Sequence, residues 1–136
     1  MTDIGPPLSP ETRNRLNTIR NKLLHLHKAI LDAERASYER SNGPIASPHV
    51  FLQLVMNDPW FGWFRPISEI VVRIDIMLES KEPVSQADGE LMLIELRSLL
   101  APREDGEEFG VKYHRIMQHD PAIIPLHSEI AELLAP

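Results

Sequence analysis

The chain has 136 residues, of which 43% are hydrophobic and 25% charged, enough for one packed core and one domain. A formal net charge of -6 leaves no basic stripe for a phosphate backbone, so nucleic acid is excluded as an expected partner. The chain has no cysteine, which excludes disulfides, thiolate metal sites and a cysteine nucleophile.

The N-terminal stretch MTDIGPPLSPE carries an acidic residue and two adjacent prolines. A signal peptide needs a basic start and an apolar run instead, and no later apolar run is long enough to span a membrane. We therefore expect a cytoplasmic protein with no membrane partner. A single domain is predicted over residues 1–136, and its first eight residues, 1–8, are predicted to form a flexible N-terminal tail.

Prolines that follow a capping side chain predict where helices begin. A serine or aspartate accepts a hydrogen bond at a helix start, and proline is tolerated at the first helical position because its missing N–H needs no partner there. Ser85 has Asp88 three residues later, which is the spacing of a capping box. The Ser-Pro and Asp-Pro pairs that fit are Ser9-Pro10, Ser47-Pro48, Asp58-Pro59 and Asp120-Pro121.

The first predicted helix runs from Pro10 to about Ser41, where Asn42-Gly43-Pro44 ends it. Its length of roughly 45 to 50 Å exceeds what a small domain needs, so part of it is expected to serve a partner. Apolar residues recur along it at steps of three and four, as in a helix with one buried face. They are Leu16, Ile19, Leu23, Leu26, Ile30 and Ala33.

Two more helices are predicted on either side of an aromatic stretch, at Pro48 to Asn57 and Pro66 to Ser80. The segment from Val72 to Ile76 also alternates like a strand, but no second strand exists to satisfy its backbone. A helix is therefore favoured, packed on more than one side because Val72 and Ile76 are apolar too.

The C-terminal half predicts three further helices. One runs from Ser85 to Leu100, one follows an acidic connector at 102–108, and a short one runs from Pro121 or Pro125 to Leu134. The predicted fold is all-α, a bundle of four main helices with short helices added and a long first helix.

The sequence NDPWFGWFRP, residues 57–66, concentrates four aromatic rings at one joint between helices. We call Trp60 to Phe64 the aromatic joint. The favoured interpretation is a buried hydrophobic plug, whereas rings left exposed would mark a binding site. Arg65 could stack on a ring or pair with an acidic partner. The candidate binding residues are Trp60, Phe61, Trp63, Phe64, Arg65 and Tyr38.

Four polar residues fall on otherwise apolar helix faces: His27, Glu34, Asp75 and His127. If they meet inside the bundle they offer a catalytic proton-transfer site, and His27, Glu34 and His127 offer ligands for a divalent metal. The competing interpretation is a structural hydrogen-bonded network. It is favoured because the known metal spacings, such as Glu-x-x-His and His-Glu-x-x-His, are absent, so no cofactor is expected.

The sequence therefore predicts a non-catalytic helical binding protein. It also lacks a phosphate-binding loop and a nucleophile elbow. We expect it to act as a homodimer, or with another protein, through the long first helix or the aromatic joint. Two alternatives are a metal- or proton-dependent enzyme built on the four polar residues and a carrier of a small apolar ligand near Trp60 and Trp63.

Overall fold

A computed structural model describes residues 4–136, and within that range the chain is all-α, as predicted. The predicted tail residues 1–3 lie outside the described range. None of the described helices is long and apolar enough to cross a membrane. The seven helices in this range are α1 (Pro10–Asn42), α2 (Pro48–Asn57), α3 (Pro59–Gly62), α4 (Arg65–Glu79), α5 (Gln86–Leu99), α6 (Glu108–His119) and α7 (Ile123–Leu134).

Side-chain caps form at four of the five predicted helix starts. Ser9, Ser47, Asp58 and Ser85 each accept a hydrogen bond from a backbone N–H two or three residues later, at 2.8 to 3.2 Å. At the fifth, Asp120 accepts from the N–H of Ala122 at 3.2 Å, but α7 begins only at Ile123. Asp120 thus closes a turn that precedes the helix, and Pro125 lies inside the first turn of α7.

Helix α1 lies at the centre of the bundle and packs chiefly against α4 and α7, with α5 alongside. Its predicted apolar stripe is the middle of the core, because Leu16, Ile19, Leu23, Leu26 and Ile30 have no exposed surface. Burial of each such side chain contributes about 1.5–3 kcal/mol. The apolar stripe of the long helix is thus used within the chain.

Helix α4 confirms the preference for a helix over a strand between residues 66 and 80. Ile67, Ile70 and Ile74 face the core. Val72 and Ile76 were expected to be packed as well, but they are exposed on the opposite side of α4. The expectation is wrong for the single chain because no other helix within residues 4–136 covers that side.

Part of the predicted tail is paired with the segment before α5. The N–H of Leu8 donates to the carbonyl of Val84, and the N–H of Gln86 donates to the carbonyl of Pro6, both at 2.9 Å. The side-chain oxygen of Gln86 also accepts from the N–H of Ser9 at 2.9 Å. These bonds hold the start of α1 against the start of α5.

Candidate functional site

The aromatic joint consists of the short helix α3 and the two residues that follow it, Trp63 and Phe64. Helix α3 is a single turn, and the side chain of Asp58 caps its start. This tight change of direction puts three of the four rings into the core: Phe61 is 2% exposed, Trp63 7% and Phe64 1%. Trp60 remains half-buried at the margin. The joint is therefore mainly a hydrophobic plug, with one ring available at the surface.

The buried rings connect helices that are distant in the sequence. The ring of Phe64 lies 5.2 Å from that of Trp63, which lies 5.8 Å from Phe109 of α6. Phe109 stacks on Tyr113 at 5.4 Å. Contacts of this kind add about 0.5–1.5 kcal/mol each beyond burial. The joint therefore fixes the position of α6 against α4.

Two further candidate binding residues support the joint from outside. The ring of Tyr38 lies 5.3 Å from Trp60 and 5.6 Å from Phe61. The guanidinium of Arg65 donates to the backbone carbonyl of Met56 at 3.0 Å. Arg65 therefore stabilises the turn between α2 and α4, which differs from the ring stacking or acidic pairing that the sequence suggested.

Asp75 and Glu34 have different partners at different levels of the bundle. Asp75 of α4 forms a two-bond ion pair with Arg20 of α1, at 2.8 and 3.2 Å. Glu34 lies farther along α1 and accepts from the indole N–H of Trp63 at 3.3 Å. Burial raises the pKa of Glu34, and that hydrogen bond opposes the rise.

The two histidines lie at opposite ends of the aromatic chain. The ring of His27 packs on Phe64 at 5.3 Å. The Nδ1 atom of His127 lies 2.7 Å from the hydroxyl of Tyr113. Burial lowers the pKa of His127 and raises that of Tyr113, so both groups are held neutral while a hydrogen bond joins the hydroxyl to Nδ1.

The structure does not unite His27, Glu34, Asp75 and His127 in one site, which corrects the expectation that they could converge. Helices α1 and α4 run antiparallel, so Asp75 falls opposite Arg20, seven residues and roughly 10 Å along α1 from His27. Within residues 4–136 no three His, Asp or Glu side chains are placed to hold a metal ion. The geometry fits separate structural contacts.

The two half-buried histidines predict that acid weakens the fold. Burial lowers the pKa of His27 and of His127 below the ordinary 6.5. Below about pH 6.5 the histidines of the unfolded chain bind protons that those of the folded chain do not. The free energy of unfolding is therefore highest above pH 6.5 and decreases as the pH falls toward the pKa of the folded state. We expect the unfolding free energy, measured by urea titration, to fall between about pH 7 and pH 5, by less than about 1.4 kcal/mol per pH unit for each histidine.

The control for this titration is the exposed His25. A variant with both His27→Gln and His127→Gln should lose most of the slope, whereas His25→Gln should keep it. Glu34 acts in the opposite sense, because its raised pKa costs stability as the pH rises above the ordinary 4.5, so it is left unchanged in every variant. An undiminished slope in the double variant would contradict the assignment.

A cleft of about 730 Å³ opens beside the aromatic joint, between the end of α1, α3 and α6. We call it the Trp cleft. The sequence predicted the two indoles and Glu34 as candidate site residues, but it did not predict the cationic residues of the cleft. The spacing of Lys112 and Arg115, three residues apart on one helix face, indicates that these two side chains lie on the same side of α6. Its main polar and aromatic lining residues are Glu34, Arg40, Trp60, Trp63, Lys112 and Arg115.

A second surface lies on α4 and α5 and exposes several large apolar side chains. On α4, Val72 is 55% and Ile76 65% exposed, and on α5, Leu91 is 57% and Ile94 53% exposed. Ile76 and Leu91 line one groove of about 410 Å³ between the two helices. Val72 and Ile94 lie one turn away from them on the same sides. We call these four residues the α4–α5 face.

No protein-family model, curated protein or solved structure matches the chain. The Trp cleft and the α4–α5 face are therefore the features on which function is inferred.

Proposed function

We propose that this protein works by binding rather than by catalysis, as a homodimer that pairs through the α4–α5 face. The observation that carries the proposal is the set of four large apolar side chains, each more than half exposed, on two neighbouring helices. Apolar surface concentrated in one patch is costly in water and typically marks a contact with another protein. The separation of the four polar candidates supports binding over catalysis.

A second copy suits this face because the face contains both charges of an ion pair. Arg73 and Glu95 bridge the groove at 2.6 Å, and each is about half exposed, at 51% and 50%. In a two-fold interface the arginine of one copy can meet the glutamate of the other, so the same patch complements itself. The apolar residues on either side then cover their counterparts.

The size of the face sets the expected strength of the dimer. Helix α4 has 15 residues and α5 has 14, so the two present a surface roughly 20 Å by 20 Å. Standard stable interfaces bury about 800 Å² on each partner, and this face lies below that. We therefore expect a dimer whose dissociation constant is on the order of micromolar.

Sedimentation equilibrium over a range of protein concentrations tests the dimer. The wild type should approach twice the mass of one chain at high concentration. Ile76→Asp should weaken association at least about tenfold, because an unpaired carboxylate would be buried at the centre of the interface. Leu91→Asp should act alike from the other helix.

Two control variants distinguish this face from the contact surfaces that the sequence suggested. Leu24 is the large exposed hydrophobic residue of α1, and Trp60 is the accessible ring of the joint. Leu24→Asp and Trp60→Ala should therefore leave association unchanged. Loss of the dimer in either control, with Ile76→Asp still associating, would move the contact to α1 or the joint. A wild type that stays monomeric at high concentration would overturn the proposal.

The carrier hypothesis keeps one supporting observation, the Trp cleft. Its walls include the indoles of Trp60 and Trp63, but it is open and also lined by charged residues, so it suits an amphipathic ligand better than a purely apolar one. A cytoplasmic location stays a prediction from the cysteine-free composition.

A further inference from the structure

The Trp cleft has cations without partners. Arg20 and Arg73 elsewhere pair with carboxylates. Arg40 and Arg115 line the cleft and make no side-chain hydrogen bond or ion pair within the described residues 4–136. In a chain with a net charge of -6, carboxylates are plentiful, so two unpaired arginines on one cleft are a local excess of positive charge.

Lys112 adds to this charge. It lies one turn before Arg115 on α6 and lines the same cleft. Its ion pair within the described part of the chain is to Glu108 at 3.6 Å, and Glu108 is mostly exposed. An exposed pair of this length contributes little, and the same ammonium also lies close enough to Glu34 to lower its pKa, so its charge acts on the space of the cleft.

The acidic residues of the cleft are already engaged. Glu34 accepts the indole N–H of Trp63, and burial, which raises its pKa, disfavours its charged form. Asp120 accepts from the backbone N–H of Ala122. The three cations therefore outweigh the carboxylates that face the same space.

Trp60 provides accessible ring surface in the cleft, whereas the indole of Trp63 is almost fully buried and provides no free hydrogen-bond donor. The N–H of Trp63 is used by Glu34, and the ring of Trp60 is held edge-on by Tyr38 at an interplanar angle of 81°. Flat ligands bind to such rings by stacking, and guanidinium groups can lie over the same ligand. The cleft thus combines aromatic walls with positive charge.

We propose that the Trp cleft binds a small organic anion with a flat apolar body, its acidic group meeting Arg40, Lys112 and Arg115 and its body lying against Trp60. The volume of about 730 Å³ is within the range of small-molecule sites, roughly 300–1,000 Å³. Charge-assisted hydrogen bonds from two arginines fix one end of the ligand, and stacking holds the other. This site is independent of the α4–α5 face.

A matched pair of fluorescent probes tests the site. Anilinonaphthalene sulfonate carries the anionic group, and N-phenylnaphthylamine has the same aromatic body without it. We expect the full-length protein to bind the sulfonate saturably and more tightly than the neutral probe at low salt. Arg40→Gln and Arg115→Gln should each weaken sulfonate binding roughly five- to twentyfold and leave the neutral probe unaffected.

Two variants complete the design. Lys28→Gln removes an equal charge from an exposed pair with Asp32, outside the cleft, and should change sulfonate affinity less than about twofold. Ile76→Asp alters the α4–α5 face and should keep sulfonate binding even where it abolishes the dimer. Unchanged affinity in Arg40→Gln and Arg115→Gln, or loss in Ile76→Asp instead, would overturn the cleft assignment, and circular dichroism verifies that each variant is folded.

Discussion

Phe64→Ala is expected to lower the free energy of unfolding by about 3–5 kcal/mol. Phe64 is 1% exposed and lies between the rings of Trp63 and His27, at 5.2 and 5.3 Å. Its removal loses the transfer energy of a whole ring and leaves a cavity that neighbours on α1 and α4 cannot fill, because both helices are fixed elsewhere by the core. Urea unfolding measured by far-ultraviolet circular dichroism gives the difference.

Trp60→Ala is the matched comparison, since Trp60 belongs to the same joint but is only half-buried. It should cost clearly less than Phe64→Ala, although tryptophan is the larger side chain. If Trp60→Ala lowered the free energy of unfolding more than Phe64→Ala, the half-buried Trp60 would contribute more to stability than the buried Phe64. That result would contradict the description of the joint as a buried plug with one accessible indole.

The helix starts were predictable because they depend on neighbours in the sequence. A serine or aspartate that caps a helix reaches a backbone N–H two or three residues away, so Ser9, Ser47 and Asp58 carry their own information. The same holds for the apolar stripe of α1. At Asp120 the local pattern misplaced the helix by two residues, because its side chain is used by the turn before α7.

Contacts between residues distant in the sequence were not predictable, because they depend on the register in which one helix packs along another. His27 and Asp75 both face the interior side of their helices, yet the antiparallel register of α1 and α4 places Arg20 opposite Asp75. The Trp cleft depends in the same way on α6, which follows the acidic connector and is held by Phe109 against Trp63. No local pattern fixes either distance.

The pattern of α4 has a consistent explanation under the homodimer proposal. Apolar residues occur around most of the helix, which is typical of a helix covered on more than one side. The single chain covers only the side with Ile67, Ile70 and Ile74 and leaves Val72 and Ile76 exposed. Pairing of two copies through the α4–α5 face would supply the missing cover.

Tyr113→Phe is expected to lower the free energy of unfolding by about 1–3 kcal/mol. Tyr113 has no exposed surface, and a hydrogen bond of 2.7 Å joins its hydroxyl to Nδ1 of His127. Phenylalanine keeps the ring and its stacking on Phe109 but removes the hydroxyl, so the half-buried imidazole loses its hydrogen-bond partner. The size of the loss therefore reports the hydrogen bond rather than packing.

Tyr38→Phe provides the control for this measurement. Tyr38 also packs in the aromatic joint, but its hydroxyl has no hydrogen-bond partner within the described residues 4–136, so its removal should cost less than about 0.5 kcal/mol. Both variants are compared by urea unfolding at about pH 8, well above the ordinary histidine pKa of 6.5, so that protonation of His127 does not contribute in the folded or the unfolded chain. Equal losses in the two variants would mean that the Tyr113–His127 bond contributes no net stability and that His127 is held by burial alone.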